Sequence, residues 1–149
     1  MENEKCLICE KHKNSVDIVF QDSMVSVSHL VRHPDSSDNY LGYYMVESMR
    51  HFRGMYDATD EEMAAIGKML KSLSKAQMNI IDAAHVYAFV IGEGLNHFHI
   101  HVVVRYKDAP REYWGHSVDE WPDAPRGTLQ DIKNLNKRIR NDILKTYRS

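Results

Sequence analysis

Residues 96–104, NHFHIHVVV, place His97, His99 and His101 at every second position of an apolar run. In an extended chain alternate side chains share a face. The three imidazoles and Val103 therefore point one way, and Phe98, Ile100, Val102 and Val104 the other. The apolar set reads as the side packed on a core. Burying three imidazoles without partners would cost several kcal/mol, so the histidine side reads as facing a polar cavity or solvent. A solvated face with incidental histidines is the bland alternative. Same-face neighbours on a strand lie roughly 6.6 Å apart, which sets the outer two rings about 13 Å apart. An adjacent pair could chelate a metal, whereas the full row suits an extended, charged ligand such as a phosphate chain. Imidazole titrates near neutrality, so one ring can attack phosphorus while its neighbour donates a proton to the departing oxygen.

The second chemical feature is CLIC, which puts Cys6 and Cys9 at a spacing that lets two thiolates reach one tetrahedral ion. A redox dithiol is the competing reading. That motif usually opens a helix after a strand in a thioredoxin-like unit, and no such unit surrounds these residues. Two inert surface cysteines are a third possibility. The N-terminus, MENEKCLICEKHKNS, reads as a cysteine-bearing loop without the apolar stretch of a signal peptide, and no run approaches the roughly 20 apolar residues that cross a bilayer. A cytoplasmic location is expected, with thiols kept reduced and no membrane partner.

These residues need a scaffold. With 149 residues, 43% of them hydrophobic, the chain is long enough to bury a core, and residues 1–149 read as a single domain. A formal net charge of -2 argues against a partner that is a nucleic-acid polymer and leaves a small nucleotide open. The pattern predicts strands over 16–20 and 24–31, and a third in YLGYYMVES after the loop RHPDSSDN. Met63, Ile66, Leu70, Leu73, Ala76 and Ile80 fall at helical spacing, behind a Thr59–Glu62 capping box. VYAFVI and HFHIHVVVRY follow as antiparallel strands around GEGLN. Leu129, Ile132, Leu135, Ile139 and Ile143 mark a last amphipathic helix. Hairpins with segregated helices imply an α+β class, an antiparallel sheet of about five strands with one long and one C-terminal helix. The irregular segment 105–127, with two Trp, either anchors itself on the body or borders a ligand.

The run His-apolar-His-apolar-His followed by apolar residues, after a helix and a glycine-containing turn, resembles the signature of the histidine triad (HIT) family. Weaker resemblance extends from Cys6 to about Tyr106. The resemblance implies a HIT-like fold in which two subunits of a homodimer join their sheets. It also implies hydrolysis or transfer of a nucleotidyl group at the α-phosphate of a nucleoside polyphosphate or phosphoramidate. Carried over, the middle histidine, His99, is the nucleophile, His101 contacts the phosphate and the leaving-group oxygen, and His97 orients their surroundings or serves a metal. A subset of the family resembles this chain at the N-terminus, with two cysteines, a histidine after the third strand and the first triad histidine on zinc. Here those residues are Cys6, Cys9, His51 and His97, which implies a closed, structural zinc site.

The pattern also departs from the family. Gly42-Tyr43 stands where many members have Gly-His, so the fourth histidine is missing. In GEGLN, Glu93 replaces a glutamine, and an acid beside phosphate repels it unless protonated or turned away, which leaves the Gly94 amide or Asn96 to donate. The acid that grips ribose in many members is not evident near Leu30. His29, His33 and His116 read as solvated residues in or near loops, and His12 and His85 as surface residues. Arg105 reads as either a phosphate partner or half of a salt bridge. Two other functions remain: a non-catalytic nucleotide-binding module, and a metal-dependent hydrolase using strand histidines.

Overall fold

The computed structural model describes residues 5–14 and 17–148; Val16, expected at the start of the first strand, lies outside them. A five-stranded antiparallel sheet runs in the order β1 (Ile18–Gln21), β2 (Val25–His29), β4 (Tyr43–Ser48), β6 (His99–Tyr106) and β5 (Ala83–Phe89). The expected α+β class and five-strand sheet are present. The third expected strand is cut in two: β3 (Asn39–Tyr40) leaves the sheet to pair with β7 (Arg126–Gly127), and β4 begins after Gly42. Gly42 has φ +93, and a Cβ there would stand 2.5 Å from Val104 Cγ2, so only glycine fits this turn.

The register fixes two faces. Val27, Val46 and Ile100 align across β2, β4 and β6, and Ser26, Glu47 and His99 align one residue away on the opposite face. Val25, Val27, Tyr44, Val46, Phe98, Ile100 and Val102 bury against α2 (Asp60–Ile80) and α3 (Leu129–Thr146). Thr59 and Glu62 make the expected capping box, and Thr128 with Asp131 makes a second. On α3 the buried stripe is Ile132, Ile139 and Ile143, each worth about 1.5–3 kcal/mol on leaving water.

The other face is not left open. The N-terminal segment, expected as a loop, is a helix, α1 (Leu7–Asn14), whose Lys11 and His12 side chains reach Glu47 on the outer face of β4. The turn between β5 and β6 spans 90–98, longer than the five residues expected, because Val90 and Ile91 are exposed and outside the strand.

Candidate active site and metal centre

The two ends of the histidine row have different surroundings. At its start, His97 is fully buried and lies just before β6. Its Nε2–H donates to the Ser48 carbonyl at 2.6 Å, which leaves Nδ1 as a lone-pair donor. That Nδ1 is 3.4 Å from Cys6 Sγ, 3.5 Å from Cys9 Sγ and 3.2 Å from His51 Nδ1. Cys9 Sγ is also 3.5 Å from His51 Nδ1. A tetrahedral zinc with Zn–S near 2.3 Å and Zn–N near 2.1 Å sets S and N about 3.6 Å apart and two N about 3.4 Å apart. The four ligand atoms, all within 4.8 Å of one another, match that geometry. In the metal-free chain burial, reinforced by the neighbouring Cys6, pushes the Cys9 thiol up to about 11. A dication reverses that balance and holds the thiolates.

His99 and His101 share the outer face, with ring centroids 5.1 Å apart. His99 is buried, and its Nδ1–H donates to the His97 carbonyl at 2.7 Å. The remaining nitrogen, Nε2, then carries the lone pair a nucleophile needs. His101 is half-buried, and its Nδ1 is 2.8 Å from the Tyr43 hydroxyl. Burial holds the His101 imidazole below its usual value, helped by the charges of His99 and Arg32 and opposed by Asp119. Burial also raises the Tyr43 phenol, so this hydroxyl keeps its proton and donates it to Nδ1. The Arg32 guanidinium lies 5.5 Å from the Tyr43 ring centroid and pairs with Asp119 at 3.2 Å. Segment 105–127 thus borders the site through Asp119, and its buried Trp121 anchors it.

The remaining expected substrate contacts lie elsewhere. Glu93 is exposed, and Gly94 and Asn96 line a cleft with Cys6, Leu7 and His51, on the metal side of the strand. The His97 imidazole turns to the cysteines, and only its backbone carbonyl serves His99.

Several residues depart from their sequence reading. His12 is buried on Glu47 Oε1 at 3.0 Å. His29 is also buried: Nδ1–H donates to the Leu30 carbonyl at 2.7 Å, and Nε2 accepts the Gly42 N–H at 3.0 Å. Burial lowers the His29 imidazole to about 4. Its neutral ring ties the end of β2 to the turn that launches Tyr43. Arg105 makes no ion pair among the described residues and stacks on Trp114, 3.8 Å from the ring centroid. His33, His85 and His116 are exposed, as the sequence suggests. Sequence reasoning missed Lys11, His12 and Glu47. Their signal was the i, i+4 relation of Leu7 to Lys11 and of Ile8 to His12, which a helical reading of the N-terminus would have used.

The fold is that of histidine triad proteins. A hypothetical histidine triad nucleotide-binding protein from Sulfolobus tokodaii is similar with a TM-score of 0.69 at 18% identity, over 94% of this chain and 93% of that one. A Hit-like protein involved in cell-cycle regulation from Bartonella henselae gives 0.68 at 16%, over 93% and 96%. A zinc-bound histidine triad family protein from Mycobacterium smegmatis gives 0.67 at 14%, over 95% and 94%. No family model and no curated protein sequence matches the chain. Among the described residues no helix is long and apolar enough to cross a membrane.

Proposed function

We propose that the protein is a nucleotidyl hydrolase or transferase acting at the α-phosphate of a nucleoside polyphosphate or phosphoramidate. The observation that carries this is the bond from His99 Nδ1–H to the His97 carbonyl, which supports His99 Nε2 as the nucleophile. In the first half-reaction Nε2 forms a bond to phosphorus as the bond from phosphorus to the leaving oxygen or nitrogen breaks. His101 gives that atom a proton; an anionic phosphate beside the ring raises its affinity for the proton beforehand. Water then attacks phosphorus and passes a proton back to His101, the N–P bond breaks to free His99, and the nucleoside monophosphate leaves. Tyr43 stands in for the missing fourth histidine by holding the His101 ring through Nδ1.

Zinc at Cys6, Cys9, His51 and His97 would be structural in this reading. Four protein ligands close the coordination sphere, so the ion's chemistry here is to hold the helix and His97 rather than to activate water. The same closure argues against a metal-dependent hydrolase. The cytoplasm suits a site that needs two reduced thiols. A homodimer would form along β5, which lies at an edge of the sheet and runs into the exposed Val90 and Ile91.

The test is turnover of adenosine and guanosine phosphoramidates and of dinucleoside polyphosphates by the zinc-loaded protein and by His99→Ala. Turnover by the wild type, lost in a variant with an unchanged melting curve, supports the reading. Binding of nucleotides without turnover would instead make the protein a nucleotide-binding module.

A further inference from the structure

On the outer face, α1 and the end of β2 enclose a cleft of roughly 380 Å³. Its walls are aliphatic, from Leu7, Ile8, Leu30 and Leu95, and this size and character suit one planar heterocycle. The floor is charged. Lys11 Nζ donates to Ser28 Oγ at 2.9 Å and to Glu47 Oε2 at 2.5 Å. Glu47 is 1% exposed, His12 holds its other oxygen, and Asp17 adds a second carboxylate to the lining. The Lys11 side chain remains 31% exposed with three N–H donors, of which two are engaged by these partners.

The cleft is placed to serve the histidines. Glu47 on β4 lies directly across from His99 on β6, and Ser28 on β2 aligns through Met45 with His101. Two interstrand spacings, about 9.6 Å, separate β2 from the candidate nucleophile. α1 is fixed over the cleft by Cys6 and Cys9 on one side and by Lys11 on the other.

We infer that Lys11 is a specificity-determining residue, whose remaining N–H donor selects a 6-oxopurine nucleotide over adenine. The inference rests on the nucleotide reading of the site. Guanine and hypoxanthine present two adjacent acceptors, O6 and N7, between which the one remaining ammonium N–H can be shared. Adenine presents N7 beside an amino group, which would set donor against donor at the ammonium.

The test is calorimetric binding of GMP, IMP and AMP to the zinc-loaded protein. GMP and IMP should bind at least roughly fivefold tighter than AMP, the lower end of what pairing with that edge gives. A double variant, Lys11→Met with Glu47→Gln, removes the donor without leaving a buried charge unpaired, and should bind all three within about twofold of one another. 7-Deaza-GMP tests the edge from the ligand side, on the unaltered protein, and should bind more weakly than GMP. AMP binding as tight as GMP overturns the inference, and so does a preference that survives in the double variant. Equal weakening of all three nucleotides would place Lys11 on phosphate and also overturn it. In each of those outcomes nucleotide binding, and with it the proposed function, stands. Absence of binding by any nucleotide defeats both.

Discussion

The first and last histidines of one short row, four residues apart, serve different physical ends. His97 is fully buried, anchored through Nε2 to the Ser48 carbonyl and surrounded by Cys6, Cys9 and His51, so both its ring nitrogens are committed to structure. His101 is half-buried, held on one nitrogen by Tyr43, and faces charges that can rearrange, Arg32 and Asp119. His99 sits between them and draws on both: the His97 carbonyl sets its tautomer, and His101 stands beside its other nitrogen. A regular strand pattern can thus hold a rigid end and a chemical end, because each position on the row meets different neighbouring side chains.

Breaking the rigid end should have the largest effect. Cys6→Ser should lose tightly held zinc and lower the melting temperature sharply, since metal affinity in such sites is folding free energy. It should also loosen α1, read as faster amide exchange over 7–14. His101→Ala should keep the zinc and the melting curve while lowering turnover by about 10² to 10⁴, the usual contribution of a positioned proton donor. Elemental analysis and kinetics on the two variants separate the two ends directly.

A third prediction concerns the scaffold beneath Tyr43. His29 sits near 4 in the folded chain against 6.5 as its ordinary value. Between those values the unfolded chain binds a proton that the folded one does not, so stability rises with pH across that window and is lost as pH falls through it. The loss should be on the order of 3 kcal/mol by urea titration, and His29→Gln should flatten it. The smallest effect is on the chemical end itself: Tyr43→Phe should lower kcat about tenfold with little change in KM, consistent with the loss of one neutral hydrogen bond. A shifted acid limb of the pH profile, restored by Tyr43→His, would show that the hydroxyl acts through His101.

Much of this arrangement was legible in the sequence, and the parts that were not share a cause. The alternation at residues 97–104 and the Cys-x-x-Cys spacing are local, and a local pattern survives reading in one dimension. The sheet, α2 and α3 followed from periodicity and from caps at Thr59 and hydrophobic spacing after Thr128. The N-terminal helix was hidden because its eight residues carry four charged or histidine side chains in a row, Glu10 to Lys13, and little apolar periodicity. With it were hidden His12 and Lys11, whose partner Glu47 is some 35 residues away in a strand that reads as apolar. His29 looked solvated because its partners are backbone groups, the Leu30 carbonyl and the N–H groups of the turn at 42–43, which no side-chain pattern announces. Tyr43 was visible as a departure from a motif, but its bond to His101 depends on a diagonal placement across β4 and β6.

The account turns on a bond between His99 Nε2 and phosphorus. Rapid acid-free quenching of the zinc-loaded protein with a guanosine 5′-phosphoramidate, followed by peptide mass spectrometry, reads that bond directly. A nucleotidyl group on His99, formed within the first turnover and absent from His99→Ala, is the predicted result. An unmodified His99 during active turnover, or a nucleotidyl group carried by His101, would contradict it.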